Sequence, residues 1–185
     1  MSKYQDLVNI IDSLRNEAPE SYKRYHPSLD DDVKLMSARS RAFIHLFLKV
    51  KFGLTDFLER ESFITDDTSD GGIDAYYIDY TEKIIYLIQS KFRNSGANFQ
   101  SREITLQDIL AMDINRILDG EETDESGTLY NDKILKFIEK IGEISDMPKY
   151  ARKVILLANV KKSIAPQLKR RMYGKRTLCT DYRNC

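Results

Sequence analysis

Cysteine is scarce in this sequence. It occurs twice, at Cys179 and Cys185, both near the C-terminus. Two such residues make neither a disulfide framework nor a zinc-ligand pattern, and a reducing cytoplasm is the expected location. Histidine is equally rare: His26 and His45 lie far apart, and His45 falls inside an apolar helical run. It reads as a core or surface residue rather than a metal ligand. No stretch stays apolar for the ~18 residues that a membrane span needs, so no membrane partner is expected. The opening "MSKYQDLVNI" lacks the apolar core of a signal peptide. There is no phosphate-cradling G-x-x-x-x-G-K loop and no G-x-S-x-G elbow. Net charge is lacking too: 29 basic residues balance 29 acids, so no global field advertises a nucleic-acid partner.

What is present begins with length. The 185 residues, 42% hydrophobic and 31% charged, suffice for one soluble domain with a sizeable core. The charge is unevenly spread. Lys161–Cys185 carries eight basic residues against one acid, so the remainder is net acidic. Such asymmetry suits a basic face that meets phosphate, although a solvated C-terminal helix and tail would look the same.

Apolar spacing predicts amphipathic helices over residues 3–17 and 37–52, the second stopped by Gly53. "HPSLDDD" between them reads as a polar connection. A weak strand is expected near Ser62–Thr65, and clear ones over Ile73–Asp79 and Ile84–Lys91, joined across "YTEK". Further helices are expected over 105–118 and 130–145, then a buried strand in "KVILLAN" (153–159) and a last helix near 163–173. Hairpin strands followed by a helical crossover to a buried strand imply one α/β domain built on a mixed sheet flanked by helices.

The stretch "DDTSDGGID", running into the first clear strand, carries the chemistry. With the hairpin turn centred between Thr81 and Glu82, facing residues have numbers that sum to 163, which sets Asp74 opposite Gln89. Gln89 and Lys91 are two apart and share a strand face. A carboxylate, an amide oxygen and an ammonium would then gather at one strand end. That trio suits Mg²⁺-assisted phosphodiester cleavage, with Mn²⁺ as a substitute. Asp74 and Gln89 would be side-chain ligands, Ser90 would offer its backbone carbonyl, and Asp70 and Asp67 would be supporting acids. Lys91 would hold the attacking water or stabilise charge on the phosphate.

"GGID…QSK" resembles the signature of the PD-(D/E)XK nuclease superfamily, in the Mrr-like branch where Gln replaces the usual Glu. More narrowly, "ITDDTSDGGIDAYYID", "IIYLIQSKFR" and "VILLANVKKSIAPQLKRR" resemble the N-terminal region of abortive infection phage resistance (AIPR) proteins. The resemblance runs from the second helix to Arg171. It implies a restriction-endonuclease-like fold with an αβββαβ core over 37–173, a helical extension over 1–36 and a tail over 174–185. It also implies a DNA nuclease active in defence against phage or foreign DNA, with Asp74, Gln89 and Lys91 catalytic and a homodimer as the assembly suggested by analogy. Two departures stand out. Ser37–Phe52 contains no acid where many relatives carry one, so Asp66, Asp67 or Asp70 would have to compensate; and Gln89 removes a negative ligand.

Three rival readings remain in view. Asp66, Thr68, Asp70 and Gly71 match positions one, three, five and six of a calcium loop, but the twelfth position is Tyr77 rather than Glu. Acids and glycines before a strand are also the ordinary chemistry of a turn. Finally, the same fold serves as a non-catalytic module that binds nucleic acid or a protein partner. Gln107, Arg93 and Arg102 are secondary candidates beside the motif, and Tyr76 and Tyr77 are expected to pack on the sheet.

Overall fold

A computed structural model of the chain describes residues 2–93, 95–101 and 111–158, with the backbone of 177–181. These residues form a mixed α/β fold. The elements are α1 (Lys3–Arg15), a 3₁₀ turn (Lys23–Tyr25), α2 (Asp32–Phe52), α3 (Phe57–Glu61), β1 (Ala75–Asp79), β2 (Ile84–Ser90), α4 (Gly96–Ser101), α5 (Ile114–Leu118), α6 (Asp132–Gly142), a 3₁₀ turn (Met147–Lys149), β3 (Ala151–Leu157) and β4 (Thr177–Asp181). They group into two compact units. The first takes in Met1–Ile64, Ser90–Arg102 and Leu157–Asn159; the second takes in Thr65–Gln89, Glu103–Leu156 and Val160–Cys185.

The first unit is helical. Ser2 caps α1 by accepting from the Gln5 N–H at 3.2 Å, and Val8, Ile11 and Leu14 turn one buried stripe inward. Asp31 caps α2 through the Lys34 N–H at 3.0 Å. Gly53, at φ 70°, ends that helix in the left-handed conformation glycine adopts without penalty. The two helices are clamped by Arg39, whose Nε and Nη2 reach the two Asp12 oxygens at 3.0 and 2.6 Å. This planar fork is the geometry in which guanidinium and carboxylate bind most strongly. Tyr4, Phe43, Phe92 and Phe99 close the far side as an aromatic cluster.

The second unit carries the sheet, ordered β1-β2-β3-β4. β1 and β2 are antiparallel and pair Ala75 with Ile88, Tyr76 with Leu87 and Ile78 with Ile85, so the facing numbers sum to 163 as the hairpin reading expects. The turn is held by Asp79, whose Oδ1 accepts from the N–H groups of Thr81 and Glu82 at 3.1 and 2.8 Å. At the start of β3, the Ala151 N–H donates to Lys83 at 2.8 Å; at its end, Leu157 accepts from the Lys91 N–H at 3.2 Å. β2 and β3 therefore run in the same direction. β4 pairs parallel to β3. Strand β2 is buried from Ile85 to Ser90, as an interior strand must be. Helix α6 covers one face through Ile134, Phe137 and Ile141. Phe137 stacks on Tyr76 at 4.0 Å between centroids, and Lys140 Nζ donates to the Tyr76 hydroxyl at 2.9 Å. Tyr76 thus packs on the sheet as expected.

Several expectations are corrected. The segment 62–65 is no strand: it holds a single bridge residue, Ile64, after the short helix α3 that the sequence reading did not foresee. Helix α2 begins at Asp32 rather than Ser37, because Asp31 supplies a cap, and it therefore carries an acid in its exposed first turn. The stretch 177–181, read as an aperiodic tail, is strand β4. Of the helix expected over 105–118, residues 111–118 are described, and only Ile114–Leu118 is helical; 111–113 are not. Gln107, Arg102 and the helix expected near 163–173 lie outside them. Among the described residues, no helix is long and apolar enough to cross a membrane.

Candidate metal centre

The loop 65–74 leads into β1 and is fixed from both ends. At its close, the Asp74 N–H donates to the Ile88 carbonyl at 2.9 Å, which ties it to β2. The Asp74 carbonyl accepts from the N–H groups of Thr65 and Asp66, both at 3.0 Å, and this folds the loop's start back on its end. Thr65 adds a hydroxyl bond to the Ile73 carbonyl. Between these anchors the backbone winds through positive φ at Ser69 (59°), Gly71 (62°) and Gly72 (73°). The Asp70 carboxylate stabilises that winding by accepting from the Gly72 N–H at 2.8 Å.

The frame around the loop comes from residues the sequence reading missed. Asn131 stands before α6, and its Oδ1 caps the helix by accepting from Lys133 and Ile134 at 3.1 and 3.0 Å. Its Nδ2 reaches back to the carbonyls of Thr65 and Thr68 at 3.1 and 3.2 Å, and its backbone N–H donates to Ser69 at 3.0 Å. One side chain thus secures both a helix start and the acidic loop. On the other side, the Asp113 N–H donates to the Gly71 carbonyl at 2.8 Å. The Tyr130 hydroxyl donates to Asp113 Oδ2 at 2.9 Å. Burial, aided by that carboxylate, pushes the Tyr130 phenol up to about 12, so it stays a donor at neutral pH.

The consequence is a cluster. Asp66, Asp70 and Asp74, all half-buried, each present a carboxylate oxygen, and these atoms lie within 4.8 Å of one another. Three anionic oxygens that close form a hard donor set, suited to a hard divalent cation that takes oxygen ligands and keeps some waters. The sequence-predicted supports divide here. Asp74 and Asp70 belong to the cluster together with Asp66, whereas Asp67 is exposed and its Oδ1 accepts from the Thr68 N–H at 3.0 Å.

No protein-family model matches the chain, and no curated protein or solved structure matches it either. The site therefore stands on its own geometry. Gln89 and Ser90 end β2 with their side-chain oxygens shut off from solvent. The β1–β2 pairing runs as far as Ala75 and Ile88, and beyond it the Asp74 N–H donates to the Ile88 carbonyl, the residue before Gln89. Lys91 is half-buried and follows β2 directly, two residues beyond Gln89; the fold assigns it to the first unit.

Proposed function

We propose that this protein is a metal-dependent phosphodiester hydrolase acting on DNA. The observation that carries this reading is the convergence of Asp66, Asp70 and Asp74 at the mouth of β1, which is tied to β2 through the Ile88 carbonyl just before Gln89. In this reading Asp74 is the principal ligand, and Asp70 and Asp66 supply the charge that the first core helix lacks in its body. Gln89 is a neutral ligand or positions water. The Ser90 carbonyl completes the set. A divalent ion, Mg²⁺ or Mn²⁺, would polarise the phosphate and lower the pKa of a bound water. Lys91 would orient the attacking water and stabilise negative charge on the scissile phosphate. The PD-(D/E)XK resemblance supports the restriction-endonuclease-like form of the fold, the AIPR-like role in defence against foreign DNA, and the homodimer.

The neutral amide at position 89 favours a second reading, a nuclease-fold module that binds nucleic acid without cutting it. A plasmid cleavage assay separates the two. Wild type is expected to nick DNA with Mg²⁺ or Mn²⁺, and Asp74→Ala and Lys91→Ala are each expected to reduce the rate by 10²-fold or more, roughly the scale of losing one electrostatic catalytic group. Equal nicking by all three proteins would remove the catalytic reading. DNA binding that falls steeply with salt, with no cleavage, would select the module.

A further inference from the structure

The helical unit buries a charged network that the proposed hydrolase chemistry does not use. At its centre is His45 on α2, 1% exposed. Its ring stacks on Phe57 of α3 at 4.6 Å and meets the edge of Tyr25 from the 3₁₀ turn. Arg60, fully buried, donates its Nε–H to His45 Nδ1 at 3.1 Å. On the other side, His45 Nε2 lies 2.8 Å from the Tyr25 hydroxyl and 3.2 Å from Glu61 Oε2. The Tyr25 hydroxyl donates to that same Glu61 oxygen. Arg41 on α2 donates from Nη2 to Glu61 Oε1 at 3.1 Å and from Nε to the Tyr25 hydroxyl at 3.3 Å. Behind Arg60 stands Glu17, which also pairs with Lys49 at 2.7 Å.

These contacts fix where the protons are. A guanidinium can only donate, so His45 Nδ1 must present a lone pair to Arg60. The single imidazole proton then sits on Nε2. The Tyr25 hydroxyl spends its only proton on Glu61 and can accept from Nε2 and from Arg41. Charge points the same way. With His45 neutral, the buried cations Arg41 and Arg60 already face Glu61 and Glu17, and Glu17 is shared with Lys49. A second proton on His45 would place an N–H against the Arg60 N–H and leave an uncompensated charge in the interior.

We propose that His45 is a pH-operated latch of the helical unit: it ties α2, α3 and the 3₁₀ turn together only while it is neutral with its proton on Nε2, and mild acid releases it. Burial, with Arg60 and Arg41 adding to it, holds His45 below the usual histidine range despite the opposing pull of Glu61. The unfolded chain titrates at its ordinary value of about 6.5. Below that pH the unfolded state binds a proton that the folded state refuses. Stability from this group is therefore complete above about pH 6.5 and lost as the pH falls towards the folded value, by up to about tenfold in the unfolded-to-folded ratio per pH unit. Folding resists protonation until the network breaks, and at that point the Arg60 Nε–H loses its acceptor.

The chain has two histidines, so long-range ¹H–¹⁵N spectra of the wild-type protein can be assigned with a single His26→Gln variant. The expected spectrum at neutral pH shows His45 with a bare Nδ1 and a protonated Nε2, and its titration falls below that of histidine in the urea-unfolded chain. In the His26→Gln background, stability to urea should weaken as the pH falls from about 7 to 5.5, with a slope of less than one proton. Adding His45→Gln should flatten that slope. A proton on Nδ1, a His45 titration that coincides with the unfolded chain, or a slope unchanged by His45→Gln would each overturn the proposal. If the His45→Gln protein does not fold, the wild-type spectrum decides alone.

Discussion

Asn131 offers the sharpest test of how the acidic loop is held. It makes two cap bonds from Oδ1 to α6 and two clamp bonds from Nδ2 to the carbonyls of Thr65 and Thr68. Removing a helix cap costs typically ~1 kcal/mol, within a range of about 0.5–2. Each partly buried clamp bond is worth roughly 0.5–1.5 kcal/mol. Asn131→Ala should therefore lower stability by about 2–4 kcal/mol. Asn131→Asp separates the two functions. Aspartate caps a helix as well as asparagine does, but it has no N–H for the two carbonyls and sets a carboxylate oxygen against them. The Asp variant should keep the cap and lose the clamp, so its cost should fall between wild type and Ala. Urea unfolding at neutral pH, followed by circular dichroism, measures both. Hydrogen exchange at Thr65 and Asp66, whose N–H groups are bound within the loop, should quicken in the Asp variant more than exchange in the first turn of α6. If both variants match wild type, or if exchange quickens only in α6, the clamp does not hold the loop.

Two further outcomes follow from the same site. Gly71→Ala should destabilise by roughly 2–4 kcal/mol in thermal or urea unfolding, because a Cβ there would lie 2.7 Å from Ile117 Cδ1 and 3.1 Å from Tyr130 Cε1 at a φ of 62°. Gln89→Glu should lower stability at neutral pH by on the order of 3 kcal/mol, since the position is 4% exposed and a buried carboxyl has its pKa raised. That loss should vanish as the pH falls below the ordinary glutamate value of about 4.3, and millimolar Mn²⁺ should reverse it more than it stabilises wild type; a melting curve indifferent to Mn²⁺ would count against a cation beside residue 89.

Much of the hairpin was legible in the sequence. "YTEK" between two apolar runs fixes the turn, and a period of two fixes the faces, so the pairing of Tyr76 with Leu87 and Ile78 with Ile85 could be counted out beforehand. Helices α1 and α6 were legible from their apolar spacing; α1 starts at Lys3 as expected, and the start of α6 is set by the Asn131 cap. Other features were not legible because they depend on partners remote in sequence. β4 has no apolar period of its own and exists by pairing with β3. Asn131 reads as a cap, but nothing local says that its other end spans 66 residues to Thr65. His45 was read as core or surface, and only the fold reveals Arg60 and Glu61 on opposite ring edges. Among the acids, spacing alone could not choose Asp66 over Asp67. The choice follows from the backbone bond between the Asp66 N–H and the Asp74 carbonyl, which draws residue 66 to the strand mouth.

The winding of the 65–74 loop bears on whether the acids are there by accident. An ordinary turn into a strand needs at most one or two residues at positive φ, and usually places glycine or asparagine there. Here three of four consecutive positions are left-handed, and the first of them is Ser69, a residue that is not glycine. A non-glycine residue in that region costs roughly 1 kcal/mol. Asn131 offsets the cost by donating its backbone N–H to the Ser69 carbonyl at 3.0 Å. The winding returns Asp70 to the side of Asp66 and Asp74, against the mutual repulsion of three carboxylates. A loop whose only task was to reverse the chain would gain from relaxing both the strain and the repulsion. Holding that winding with a clamp of three residues, Asp113, Tyr130 and Asn131, fits a loop shaped to bring its acids together around a cation.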